Sequence, residues 1–187
     1  MARIHVIQEE EAEGMLQKVY QDLIQSRGKL AEVHKIQSLN PKTIISHMQL
    51  YMDIMYGQSP LKRWQREMIA VVVSVTNQCA YCTQHHAEAL HIFWKDVDKM
   101  NELIDNKNVS SLEPINQLWN KLAKTITATP SSPEIGETIE KLKNLGLDDR
   151  SILDATLVIA YFNFVNRIIL GLGVELEADG GKGYKYE

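Results

Sequence analysis

The sequence predicts an all-α protein, a single-domain bundle of about six to eight helices. Three observations carry this. Apolar residues recur at i, i+3 and i+4 along nearly the whole chain. Start signals, a capping residue followed by proline or by an acid three positions on, punctuate the stripes. No alternating polar–apolar run rivals them, and no unit of about 20–50 residues repeats. The chain has 187 residues, which suggests one domain. A chain of this size buries about 70% of its unfolded surface, so it needs no disulfide or metal to fold.

In chain order, Met15, Val19, Leu23 and Ile24 give one face of a first helix within an N-terminal arm, residues 1–40; the core is expected over 41–178. Asn40-Pro41 places a capping residue before proline at the first helical position. Ile44, Ile45, Met48, Met52 and Met55 follow at helical spacing, and Gly57 ends that helix. Ser59-Pro60 repeats the start signal, and Leu61, Trp64, Met68, Val72 and Val75 form the next stripe. Its length favours a buried helix over a strand, despite three consecutive valines. Ala87, Leu90 and Phe93/Trp94 continue as a helix after the cysteines. Residues 106–111 read as a loop, with Ser110 and Glu113 spaced as a capping box, and Ile115, Leu118, Leu122 and Ile126 follow. Ser131 and Glu134 give another capping box, and that helix stops at Gly146. Asp148 opens a long last helix through Ile152, Leu153, Thr156, Ile159, Ala160, Phe164 and Ile168. Residues 179–187, DGGKGYKYE, are expected to form a flexible tail.

Composition excludes several function classes. The chain is 44% hydrophobic and 24% charged with a net charge of −4, which argues against non-specific nucleic-acid binding. The apolar run Ile69–Val73 falls far short of the roughly 20 residues a membrane span needs. Glu9, Glu10, Glu11 and Glu13 stand where a secretory signal would be apolar, so a cytoplasmic protein is expected. In that compartment a close cysteine pair points to catalysis or metal binding rather than a structural disulfide.

Residues 79–91, CAYCTQHHAEALH, hold both cysteines and three of the six histidines. Covalent haem attachment needs histidine directly after the second cysteine, where this chain has Thr83. A zinc site could combine Cys79, Cys82 and His86 with His85 or His91. However, the adjacent histidines point about 100° apart around a helix, and structural zinc draws its second ligand pair from a separate knuckle. Two inert buried thiols are the third reading. The fourth is redox chemistry. At a helix start, unpaired N–H groups and the helix dipole favour a thiolate. A thiolate can attack a peroxide O–O bond and become a sulfenic acid, which a second thiol three residues away can condense with. His86 lies one turn after Cys82 on the same face and can move the proton. Glu67 is the candidate to orient that histidine, against a plain surface pair with Arg63 four residues earlier. His85 and His91 read more simply as surface residues. Metal and cofactor are both expected to be absent.

Glu67, Cys79-x-x-Cys82 and His86 follow a Glu-x11-Cys-x2-Cys-x3-His pattern without a gap. In this the chain resembles the alkylhydroperoxidase D-like family of the carboxymuconolactone decarboxylase superfamily, in its peroxidase-related branch, over roughly residues 40–177. The resemblance implies an all-α fold with the cysteine pair at a helix N-terminus, and thiol-dependent (hydro)peroxide reduction. It implies Cys82 as the peroxidatic thiol, Cys79 as the resolving thiol facing the reductant, and His86 with Glu67 as proton relay. The implied partners are a peroxide, a dithiol, thioredoxin-like or lipoyl reductant, and further copies of the chain in a trimer or hexamer. Tyr81 departs from members with histidine before the second cysteine, so a relay through that position is lost or weakened. The decarboxylase branch lacks the cysteine pair, which disfavours lactone decarboxylation. Two rival classes remain. One is thiol–disulfide exchange, as a shuttle or redox sensor without peroxide turnover; the other is an assembly module with a vestigial site. Asn163, Asn166 and Arg167 are expected to line the pocket, to pair with Glu67 or to make a subunit contact.

Overall fold

The computed structural model describes residues 2–105, 109 and 111–180. The capping residue Ser110, most of the expected 106–111 loop and most of the expected tail lie outside them. The described residues form one 3-10 turn (Glu9–Glu11), nine α-helices and no strand. The helices are α1 Gly14–Arg27, α2 Glu32–Lys35, α3 Pro41–Met55, α4 Arg63–Thr76, α5 Ala80–Trp94, α6 Val97–Ile104, α7 Pro114–Ala128, α8 Glu134–Asn144 and α9 Asp149–Leu172.

The two helices that periodicity does not separate are short, α2 and α6. Lys95, left-handed at φ 51°, ends α5, and the Asp96 carboxylate then accepts from Lys99 N at 3.0 Å to start α6. Some start signals shift. α4 begins at Arg63 rather than at Ser59-Pro60, because Ser59 Oγ caps a preceding turn at Leu61 N (3.1 Å). Gln65 instead reaches back to Lys62 N at 2.9 Å. Before α8 it is Ser132, not Ser131, that accepts from Glu134 N, at 3.3 Å. Asp148 starts α9 as its sequence implies, accepting from Ser151 N at 2.8 Å.

α4 is the central helix. Met68 to Val73 are buried on every side, packed among α5, α7 and α9. α9 is long and apolar enough to cross a bilayer by length and composition alone. Here it lines the core with Ala155, Val158, Ile159, Phe162, Val165 and Ile169 and buries Asp154 and Asn166. Leu153 and Phe164, expected in its buried stripe, are exposed. α9 is apolar nearly all round, so spacing cannot select its inner face. Met15 is likewise exposed, and its neighbour Leu16 is buried.

The α4–α5 corner positions the cysteine pair. Gln78 is left-handed at φ 56°. Cys79 N donates to Ser74 O (2.8 Å) and Gln78 N to Val75 O (3.0 Å), the paired bonds of a Schellman motif. Cys79 therefore closes α4 and is also the N-cap of α5. Glutamine in the left-handed region costs about 1 kcal/mol relative to glycine. At Gly57 the reverse holds, because an added methyl would lie 2.2 Å from the Asp53 carbonyl oxygen. Urea denaturation of Gln78→Gly is expected to show a gain of about 1 kcal/mol. Gly57→Ala is expected to lose about 2 kcal/mol.

Candidate active site

The α4–α5 reversal brings Glu67 and His86 together. Glu67 is fully buried, and its Oε2 lies 2.7 Å from His86 Nδ1. Its Oε1 accepts from Arg63 Nε at 3.0 Å and also from Arg63 Nη2. The surface pair with Arg63 and the contact with His86 were alternatives in the sequence; in the fold one carboxylate makes both. Burial pushes the Glu67 carboxyl up, but His86 and Arg63 outweigh it and hold it below its ordinary value. An ionised Glu67 accepts, so Nδ1 of His86 carries a hydrogen that faces the carboxylate. The His86 ring packs edge-on against Phe162, with centroids 4.4 Å apart.

Cys79 and Cys82 are free thiols, 0% and 2% exposed. The two side chains are hydrogen-bonded to each other. This bond sets Cys79 below the ordinary thiol range and pushes Cys82 well above it, with burial adding to the rise at Cys82. Of the two, Cys79 is the more acidic thiol. Asn166 works against this by hydrogen-bonding Cys82.

Cys82, His85, His86 and Tyr81 line a partly open cavity of about 90 Å³, together with Arg27, His34, His47, Tyr51, Tyr161 and Phe162 among others. Cys79 does not line it. The outward face expected for Cys79 is therefore absent in this chain, because as the shared corner residue it is enclosed between α4 and α5.

Two further expectations change, and for Arg167 the subunit contact is the reading left. Arg167 is exposed and bonds its own helix, donating to Asn163 O (2.9 Å) and Oδ1 (2.7 Å), away from Glu67. Asn166 is fully buried and donates to Ser74 Oγ at 3.3 Å. Asn77 Nδ2 donates to Oδ1 of both Asn163 and Asn166 at 3.0 Å, tying the α4 corner to α9. His85 is not a solvated residue, since its Nε2 lies 2.8 Å from Glu177 Oε2 and its ring stacks on Tyr81 with centroids 4.4 Å apart. Tyr81 donates to Glu177 Oε1 at 2.8 Å and accepts from Val33 N at 3.3 Å, so it anchors the segment after α9. His91 is exposed, as its sequence context suggests. Among the described residues no group of three or more His, Cys, Asp or Glu side chains is arranged to hold a metal ion.

Sequence reasoning missed Arg27, His34, His47, Tyr161 and Glu177. They come from α1, α2, α3, α9 and the segment after it, and no local motif links them. Gln37 Nε2 donates to His47 Nδ1 (2.8 Å), so His47 Nε2–H donates to Tyr161 OH (2.6 Å). Burial lowers the His47 pKa to about 4, consistent with that neutral form.

Residues 46–109, which include Glu67, both cysteines and His86, match the carboxymuconolactone decarboxylase family. The fold matches an uncharacterized peroxidase-related protein from Silicibacter sp. TM1040 at 28% identity, covering 93% of this chain and 92% of that one, with a TM-score of 0.80. The chain thus carries a segment similar to the carboxymuconolactone decarboxylase family within a fold similar to that of a peroxidase-related protein. The fold is shared with the alkylhydroperoxidase AhpD core of an uncharacterized peroxidase-related protein from Ralstonia eutropha JMP134, at 21% identity, 98% coverage of both chains and a TM-score of 0.83. It is also shared with the debrominase Bmp8, at 18% identity, 94% and 92% coverage and a TM-score of 0.76. The matched segment supplies the two thiols and the Glu67–His86 pair, while α1, α2, α3 and α9 supply the remaining walls.

The folded pKa of Glu67 lies below its unfolded value of about 4.3. Its stabilisation is therefore complete above that value and is lost as pH falls through the folded value. Glu67→Gln leaves Arg63 without its partner and is expected to cost about 3 kcal/mol at neutral pH. The variant is also expected to lose stability less steeply than wild type as pH falls below about 4, read by denaturation across pH.

Proposed function

We propose that the protein reduces hydroperoxides, with Cys82 as the thiol that meets the peroxide and Cys79 as the resolving thiol. The observation that carries this is the opening of Cys82 on a pocket beside His86, whose Nδ1 is held by a buried carboxylate. His86 Nε2 takes the Cys82 proton. The thiolate attacks the distal peroxide oxygen, the O–O bond breaks, and the proton goes to the departing alkoxide, leaving Cys82 sulfenic acid and an alcohol. The Cys79 thiol then condenses with the sulfenic acid, forming a disulfide and releasing water. An external dithiol, thioredoxin-like or lipoyl in kind, returns two electrons and two protons.

The enclosure of both sulfurs favours a small oxidant over exchange with a partner protein's disulfide, which needs contact with an exposed sulfur. The same fold carries a debrominase, so the choice of peroxide rests on the cysteine pair and its histidine rather than on the fold. Homo-oligomers, trimer or hexamer, fit the exposed apolar stripe of Leu153, Leu157 and Phe164 on α9. A cytoplasmic setting fits two free thiols three residues apart.

Peroxide consumption driven by a dithiol should vanish in Cys82→Ser with the melting temperature preserved. In Cys79→Ser the reaction should stop at one equivalent, with a sulfenic acid on Cys82 trapped by dimedone and seen by mass spectrometry. His86→Asn should slow the reaction by roughly 10²–10³-fold. Undiminished turnover in Cys82→Ser sinks the mechanism. Disulfide exchange without peroxide consumption in the wild type selects the rival reading.

A further inference from the structure

The hydrogens around Tyr161 follow from one carbonyl. Val33 O can only accept, so Gln37 Nε2, 2.7 Å away, donates to it and the amide orientation is fixed. The second hydrogen of that nitrogen goes to His47 Nδ1. Burial holds His47 neutral, so its one ring hydrogen sits on Nε2 and is given to Tyr161 OH, 2.6 Å away. The Tyr161 oxygen is thus an acceptor toward His47, and its own hydrogen is turned away from it.

Tyr161 is 6% exposed and lines the cavity at Cys82. Among the described residues nothing accepts that hydrogen, and His34 Nδ1, from another wall, is itself without a hydrogen-bond partner. A charge on Cys82 acts on Tyr161, yet no hydrogen bond joins the hydroxyl to the sulfur. Burial, and after it that charge, raise the Tyr161 pKa well above its ordinary value, so it stays a phenol when a thiolate forms nearby. The cavity therefore holds a buried O–H donor whose acceptor has to be a guest. At about 90 Å³ it admits a guest of a few heavy atoms.

We propose that Tyr161 is a catalytic residue whose hydroxyl, aimed by His47, donates a hydrogen bond to the oxygen that leaves when Cys82 attacks a small hydroperoxide. This role rests on the proposed peroxide reaction. The Cys82 sulfur bonds to the distal oxygen, which keeps its hydrogen, and the O–O electron pair moves to the proximal oxygen. Sulfur is oxidised by two electrons to sulfenic acid, and the proximal oxygen becomes an alkoxide. Tyr161 stabilises that alkoxide, keeping its own proton, until the proton held by His86 converts it to the alcohol. A donor already in place costs no reorganisation at that moment. His47 is a positioning residue, acting through Tyr161.

The test is single-turnover oxidation of the reduced full chain by ethyl hydroperoxide and by peracetic acid, read as loss of the Cys82 thiol by quenched mass spectrometry. The two are of nearly equal size. One expels ethoxide and the other the far less basic acetate, which gains little from a donor. Tyr161→Phe is expected to slow ethyl hydroperoxide about 10–100-fold, and to shift the ratio of the two rates about tenfold toward peracetic acid. An unmoved ratio, whether both rates fall together or neither falls, overturns the proposal. Adding His47→Phe to Tyr161→Phe should shift the ratio no further, and a further shift overturns the aiming by His47. If Tyr161→Phe does not fold, His47→Phe alone decides, because it frees the hydroxyl to rotate: the ratio should shift the same way by about threefold or more. An unmoved ratio there overturns the proposal. A wild type whose Cys82 reacts with neither peroxide overturns the proposed reaction and this role together. Normal oxidation with an unmoved ratio overturns the role of Tyr161 and keeps the reaction.

Discussion

A carboxylate with no exposed surface is tolerable only if cations and donors meet both its oxygens, and Glu67 is the point at which this fold satisfies that demand. Arg63 on its own helix takes one oxygen and His86 on the next helix takes the other. That bridge sets how α4 and α5 lie against each other. It also continues outward. The Arg63 guanidinium lies over the Tyr56 ring, 3.7 Å from its centroid, and Tyr56 accepts from Arg27. A run of charge and aromatic contacts thus reaches from α1 to α5 around the cavity. The same carboxylate fixes the hydrogen on His86, so a stability requirement and a chemical one coincide in one residue.

Local features were legible in the sequence. The helical stripes, the Asp148 cap and the face shared by Cys82 and His86 all follow from short-range rules. The contact between Glu67 and His86 was permitted by spacing but not required, because it depends on how two helices pack. The inner face of α9 was not legible, since a helix that is apolar on every side gives no preferred direction. Nor were Arg27, His34 and Glu177. Each looks like an ordinary polar residue in its own segment and acquires meaning only when α1, α2 and the stretch after α9 converge on α5. Asn166 lies between these cases. Its polarity inside an apolar helix marks it as unusual, but only the fold shows that it bonds the corner and the Cys82 thiol.

The corner joining α4 to α5 has little freedom. Its backbone is closed by the Schellman bonds, and Asn77 spans to two asparagines of α9 with both hydrogens of one amide. Asn163 passes the connection on to Thr127 of α7 at 3.1 Å. A buried network in which each member has a partner specifies one arrangement. The cysteine pair is thus held by three helices besides its own, and the tolerance of a left-handed glutamine at position 78 is understandable as a cost the surrounding bonds offset.

The unequal acidity of the two thiols bears on how a disulfide between them would be undone. Thiol–disulfide exchange runs faster when the sulfur that departs belongs to the more acidic thiol. The Cys82 thiol hydrogen is lost once that sulfur is in a disulfide, but the Cys82 backbone N–H still favours a Cys79 thiolate, and the sulfur bordering the cavity is Cys82. Access and leaving-group quality therefore agree. An incoming reductant would form its mixed disulfide on Cys82 and expel Cys79 as the stabilised thiolate, so electrons would enter by the same door as the oxidant.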